Sequence, residues 1–153
     1  MSKLTLIAAV ALVFPTALLS QAHHNDSFVG TWKLNVAKSK FNPGPAPKSE
    51  TVTIPAQGKV EVHEVTADGK EVSWSYTSSS SDGTAIPIEG IEGATVSGKM
   101  TDENIIDHTW KFPDFTGTGH GVVSKNGKIM TYTMTGNNDQ GKPVHNVMTF
   151  QKQ

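Results

Sequence analysis

The sequence predicts an all-β protein, a single up-and-down antiparallel β-barrel of about 8–10 strands. Three observations carry that expectation. Apolar residues recur at every second position: Val72, Trp74 and Tyr76 alternate with Ser73, Ser75 and Thr77, and Met130, Tyr132 and Met134 with Thr131, Thr133 and Thr135. Residues two apart on a helix point to nearly opposite sides, so these patterns make one apolar face only on a strand. Asp68-Gly69, Asp82-Gly83, Asn126-Gly127 and Gln140-Gly141 punctuate the chain as hairpin turns do. No segment sustains a helical period.

Taken in order, Met1-Ser2-Lys3 is a short positive start, Leu4 to Leu19 is apolar apart from Thr5 and Thr16, and Ser20-Gln21-Ala22 has the small-x-small form of a cleavage site. This tripartite pattern predicts a signal peptide over 1–22, a secreted or periplasmic product, and one barrel domain over 23–153. The apolar run holds Pro15 and is shorter than the ~20 residues a spanning helix needs, so no membrane insertion is expected after cleavage. Strands are predicted near 29–35, 50–55, 59–66, 71–78, 84–88, 94–100, 104–112, 118–124, 129–136 and 144–151. Pro43, Pro45 and Pro47 make Lys38 to Lys48 an extended connection. Tight turns join antiparallel neighbours, and closing the meander into a barrel removes the exposed edges of a flat sheet.

Turn length then decides which residues face inward, because a one-residue slip turns a whole strand over. A three-residue turn at Gly69 sets Trp74 opposite Val62 and Tyr76 opposite Val60, matching apolar to apolar. The same turn at Lys125-Asn126-Gly127 sets Val122 opposite Met130, His120 opposite Tyr132 and Thr118 opposite Met134, with His108 close to an inward His120. A two-residue alternative turns His120 outward and brings Gly119 and Gly121 beside Met134 and Tyr132. The preferred interior holds Trp74, Tyr76, Trp110, Met130, Tyr132 and Met134, with His108 and His120 as polar points.

Composition narrows the chemistry. There is no cysteine, which excludes disulfides, thiolate metal sites and thiol nucleophiles. Thirteen basic residues balance fourteen acidic ones without a run of either sign, so no basic stripe for nucleic acid exists. All thirteen are lysine, and a guanidinium fork for carboxylate or phosphate is therefore missing.

The string Gly30-Thr31-Trp32-Lys33-Leu34-Asn35, continued by Lys38-Ser39-Lys40-Phe41 and Pro43-Gly44-Pro45, resembles the calycin group, the lipocalins and fatty-acid-binding proteins, and within it secreted bacterial lipocalin-like domains. The resemblance implies a barrel around a cavity for a small apolar molecule, with Gly30 and Trp32 as the plug of one end. It also implies an arginine stacked on the tryptophan, which this chain lacks, and, in the fatty-acid binders, a helical lid where this chain has prolines.

The expected function is non-catalytic binding of a small apolar or aromatic molecule through Trp74, Tyr76, Trp110, Met130, Tyr132, Met134, His108 and His120, with no cofactor and no metal. The alternative is a packed core and a protein-protein interaction module, such as a lipocalin-like periplasmic protease inhibitor. His108 with His120 as metal ligands is a third reading, for which the spacing supplies no third ligand. Gly117-x-Gly119-x-Gly121 lacks the strand-turn-helix setting of a phosphate loop and reads as strand glycines that bend a barrel or admit a large neighbour. Asp107 and His108 are adjacent on a strand, point to opposite faces and form no catalytic dyad.

Overall fold

All ten predicted segments are strands in the computed structural model, which describes residues 25–77 and 83–153. The signal segment 1–22 and the Ser78–Ser81 loop tip lie outside the described residues. The strands are β1 (Gly30–Leu34), β2 (Ser49–Ile54), β3 (Lys59–Val65), β4 (Glu71–Thr77), β5 (Ile86–Pro87), β6 (Thr95–Asp102), β7 (Ile105–Phe112), β8 (Phe115–Val123), β9 (Ile129–Asn138) and β10 (Pro143–Lys152). One 3-10 turn, Val36–Lys38, follows β1, with the Asn35 side chain accepting from the Lys38 amide.

Consecutive strands pair antiparallel except β4 and β5, which form the two edges, and β10 returns to β1, giving a single sheet in the order β4-β3-β2-β1-β10-β9-β8-β7-β6-β5. The sheet curls until its edges nearly meet: the Ser75 and Glu89 amides and carbonyls exchange hydrogen bonds of 3.0 and 2.8 Å. Gly90 permits that approach. A Cβ there would stand 2.7 Å from the Ser73 carbonyl oxygen, and the residue has φ +93°. The result is a nearly closed antiparallel barrel, as the alternation predicts.

In such a meander, successive turns alternate between the two ends of the barrel. The connection 35–48 therefore shares an end with the β3–β4, β7–β8 and β9–β10 turns, while the start of β1 and the end of β10 lie at the other. The proline segment is tied down as an extended strap. Lys40 pairs with Val147, the Asn42 carbonyl accepts from His145 at 2.7 Å, and the Lys48 amide donates to Val65. Phe41 at its start packs on the core.

Inner faces form two joined apolar clusters. One gathers Phe28, Trp32, Leu34, Val123, Met130, Met148 and Phe150, and the other Val60, Tyr76, Ile88, Ala94, Val96 and Trp110. Ile88 is buried, and Ile86 and Ile91 pack against this second cluster, so the apolar stretch after Gly83 belongs to the core.

The register at the first turn is the predicted one, with Val62 opposite Trp74 and Val60 opposite Tyr76. At the second it is not. Met130 pairs with Val123, Tyr132 with Gly121, and Met134 with Gly119, which turns His120 outward. Both turns use a hydroxyl to hold the returning strand, but at different reach. Thr66 Oγ1 accepts from the Lys70 amide four residues on, whereas Ser124 Oγ accepts from Ile129 five residues on, with Asn126 accepting from Lys128. One added loop residue shifts the ladder by one and reverses the face of every β8 side chain.

A candidate ligand site in the barrel lumen

Trp32 is fully buried near the end where β1 begins, and its indole N–H donates to the Phe28 carbonyl at 2.7 Å. Lys152 Nζ lies 5.0 Å from its ring centroid, so a lysine occupies the stacking place that the calycin resemblance gives to arginine. Gly30 makes this possible: a Cβ there would sit 2.5 Å from Lys152 Cε, where the lysine stem crosses. Gly-x-Trp thus works as a unit with the last strand. Lys152→Ala should cost about 1 kcal/mol in urea denaturation through lost cation–π and stem contacts; a change near zero would show that the stacking contributes nothing.

Away from this packed end, the inner faces of β4 and β7 build an aromatic wall. Trp74 meets Trp110 and Phe112 edge to face at 5.8 and 5.6 Å, and Trp110 stacks on Phe112 at 5.4 Å. Tyr76 lies edge-on to Trp110 at 5.8 Å. Trp74, Phe112, Tyr132 and Met134 all point inward, yet each stays only half-buried. These inward side chains keep accessible surface, unlike the fully packed Trp32 region.

Tyr132 is the polar hub. Its hydroxyl accepts from Trp110 Nε1 at 2.7 Å and lies 2.9 Å from His108 Nδ1. Indole nitrogen can only donate, so the phenol oxygen is the acceptor from Trp110, and the imidazole tautomer sets the direction of its bond to His108 Nδ1. No partner for Nε2 exists among the described residues. His108 is 9 % exposed, and burial holds its pKa down to about 4, so it is neutral near pH 7. Burial raises the hydroxyls of Tyr76 and Tyr132 as well, keeping both protonated.

The glycines of β8 make room for this hub. A Cβ on Gly119 would overlap the Tyr132 hydroxyl, and one on Gly121 would come within 3.0 Å of the same ring and of Ile106. The expectation that these glycines admit a large neighbour is met, and Tyr132 is that neighbour.

Of the residues predicted for the site, Trp74, Tyr76, His108, Trp110 and Tyr132 come together, and Met134 packs beside them. Met130 packs instead against Trp32. His120 is outside the barrel, exposed, and bonded to Asp107 at 2.6 Å. The predicted His108–His120 pair therefore does not form, because the two side chains occupy opposite faces of the sheet. Among the described residues no group of three or more His, Cys, Asp or Glu is placed to hold a metal.

Two inward residues escaped the sequence reading. Glu50 shares the inner face of β2 with Val52 and Ile54, and Glu64 that of β3 with Val60 and Val62; the register sets them directly opposite each other. Neither has a hydrogen-bond or ion-pair partner among the described residues. Burial, and then the facing Glu64, push the Glu50 carboxyl up to about 8; burial and Asp114 raise Glu64. The signal was present: alternation through Glu50-Thr51-Val52-Thr53-Ile54 puts the glutamate on the apolar face.

With this geometry the chain is similar to solved structures of the fluorescent protein UnaG. The wild-type protein superposes with a TM-score of 0.53 at 14% identity, over 85% of this chain and 100% of that one. A point mutant of it gives 0.52 at 15% identity, over 83% and 96%. The fold is calycin-like. A zebrafish ileal bile acid-binding protein complexed with cholic acid superposes over 84% of this calycin-like chain and 100% of its own, with a TM-score of 0.48 at 13% identity. No protein-family model and no curated protein matches the chain.

Proposed function

We propose that this protein is a secreted or periplasmic, non-catalytic carrier that holds a small apolar or aromatic molecule in the barrel lumen. The observation that carries the reading is the half-buried inner wall of Trp74, Phe112, Tyr132 and Met134, with His108 as a neutral polar point. Ligand pockets combine apolar lining with a few placed polar groups, and this lumen has that make-up. The outer faces offer a partner protein little apolar surface: Ser73, Ser75 and Thr77 on β4, and Thr131, Thr133 and Thr135 on β9, point outward. The tripartite start of the chain supports export, and amino-terminal sequencing of the mature protein should read from His23.

Binding is tested with an uncharged naphthalene derivative, followed through tryptophan emission. Saturable quenching is expected, weakened about tenfold in Trp74→Ala, since aromatic anchors in desolvated pockets dominate binding energy. Unsaturable quenching, or equal affinity in W74A, would overturn the proposed site.

A further inference from the structure

We infer that the lumen selects an organic cation, an ammonium group carried on an aromatic or apolar body. The inference rests on the carrier reading and adds the charge of the ligand. Three independent features of the inner surface agree. Glu50 and Glu64 face each other across β2 and β3 without a countercharge. The indole of Trp74 and the ring of Phe112, both half-buried, meet edge to face at 5.6 Å on the inner surface. His108, 9 % exposed and with Nε2 unpartnered, is neutral and adds no positive charge.

Strand geometry brings the acids to the aromatic wall. Glu64 stands opposite Val72, one inward position from the Val62–Trp74 pair. Glu50 stands opposite Glu64, one inward position from Val52, which packs against both apolar clusters. Lys152, in phase with Phe150 on the inner face of β10, is committed to Trp32 at the closed end. A carboxylate ligand would meet two acids and no cation. A neutral ligand would leave both carboxyls uncompensated, Glu50 with its proton still on, whereas a bound cation favours the ionised form of each. An ammonium group answers both, gaining ion pairing from the acids and cation–π attraction from the rings in a low-dielectric setting. A pair of inward, partly buried acids directly opposed across two strands is otherwise a costly arrangement.

The test uses three probes of one shape near pH 7.5: (1-naphthylmethyl)trimethylammonium, its uncharged carbon isostere, and 1-naphthylacetate. The quaternary cation should bind about tenfold or more tighter than the isostere, and the acetate weakest. In Glu50→Gln and Glu64→Gln that preference should shrink severalfold while affinity for the isostere holds. Circular dichroism and melting of both variants establish that they are folded. Equal affinity for cation and isostere, or preference for the acetate, overturns the charge assignment and leaves the carrier reading standing. Absence of saturable binding by all three probes overturns both.

Discussion

Stability should fall as pH rises from about 4.5 to 8, by up to about 5 kcal/mol, because Glu50 keeps its proton in the barrel and loses it in the unfolded chain. A carboxyl whose folded pKa is raised contributes stability that is complete below its unfolded value. That contribution is lost as the unfolded chain ionises, and it is gone once pH passes the folded value of about 8. Glu64 shifts in the same direction. His108 acts oppositely. Its folded pKa is depressed to about 4, so its contribution of up to about 3 kcal/mol is complete above about 6.5 and is lost as pH falls toward 4. Between about 4.5 and 6.5 the two slopes oppose each other, giving a plateau with decline on both sides. Urea denaturation at pH 5.5, 7 and 8 measures this directly. In Glu50→Gln the alkaline decline should largely vanish. A wild-type curve that is flat or rising from pH 6.5 to 8 would show that Glu50 is solvated and faces away from the lumen.

Gly119→Ala should destabilise the barrel by about 3 kcal/mol or more, since the added methyl overlaps the Tyr132 hydroxyl. It would also stand 2.5 Å from Tyr132 Cζ and 2.7 Å from Trp110 Nε1, so both hydrogen bonds of the hub must give way. Gly121→Ala is the milder comparison, with contacts of 3.0 Å to Ile106 Cγ2 and Tyr132 Cδ2. The mechanism predicts coupling. In a Tyr132→Phe background the hydroxyl is absent, and G119A should cost clearly less than it does alone. Additive effects of the two substitutions, or a neutral G119A, would mean that β8 does not face Tyr132 with its glycines. The same experiment therefore checks the β8–β9 register.

That register marks where local sequence stops being sufficient. Ala67-Asp68-Gly69-Lys70 and Lys125-Asn126-Gly127-Lys128 look alike, and the first does close a three-residue loop between Thr66 and Lys70. The second closes between Ser124 and Ile129, one residue longer. Nothing in the four residues themselves separates the cases. Bulk does: the Tyr132 ring needs bare backbone on the facing strand, and the three-residue turn denies it Gly119 and Gly121, which the observed loop supplies in the register of the two-residue alternative. With His120 inside instead, Tyr132 and an imidazole would compete for one space.

The aromatic wall was legible because β4 and β7 alternate without interruption, so Trp74, Tyr76, His108 and Trp110 fall on one face whatever the turns do. Glu50 and Glu64 were equally in phase with Val52 and Val62. Charge is ordinarily an outward signal, and that habit hides an inward acid. Lys152 over Trp32 could not be seen locally, since 120 positions separate them and only the return of β10 to β1 joins them.

Sequence alone settled that the chain is all-β, where its ten strands run, and which way most of them face, because side-chain alternation is a two-residue property written into each segment. The face of β8, the hub of Tyr132 with Trp110 and His108, and the meeting of two acids inside the lumen were decided by the closed sheet. Those depend on ladder registers and ring volumes that no single segment contains.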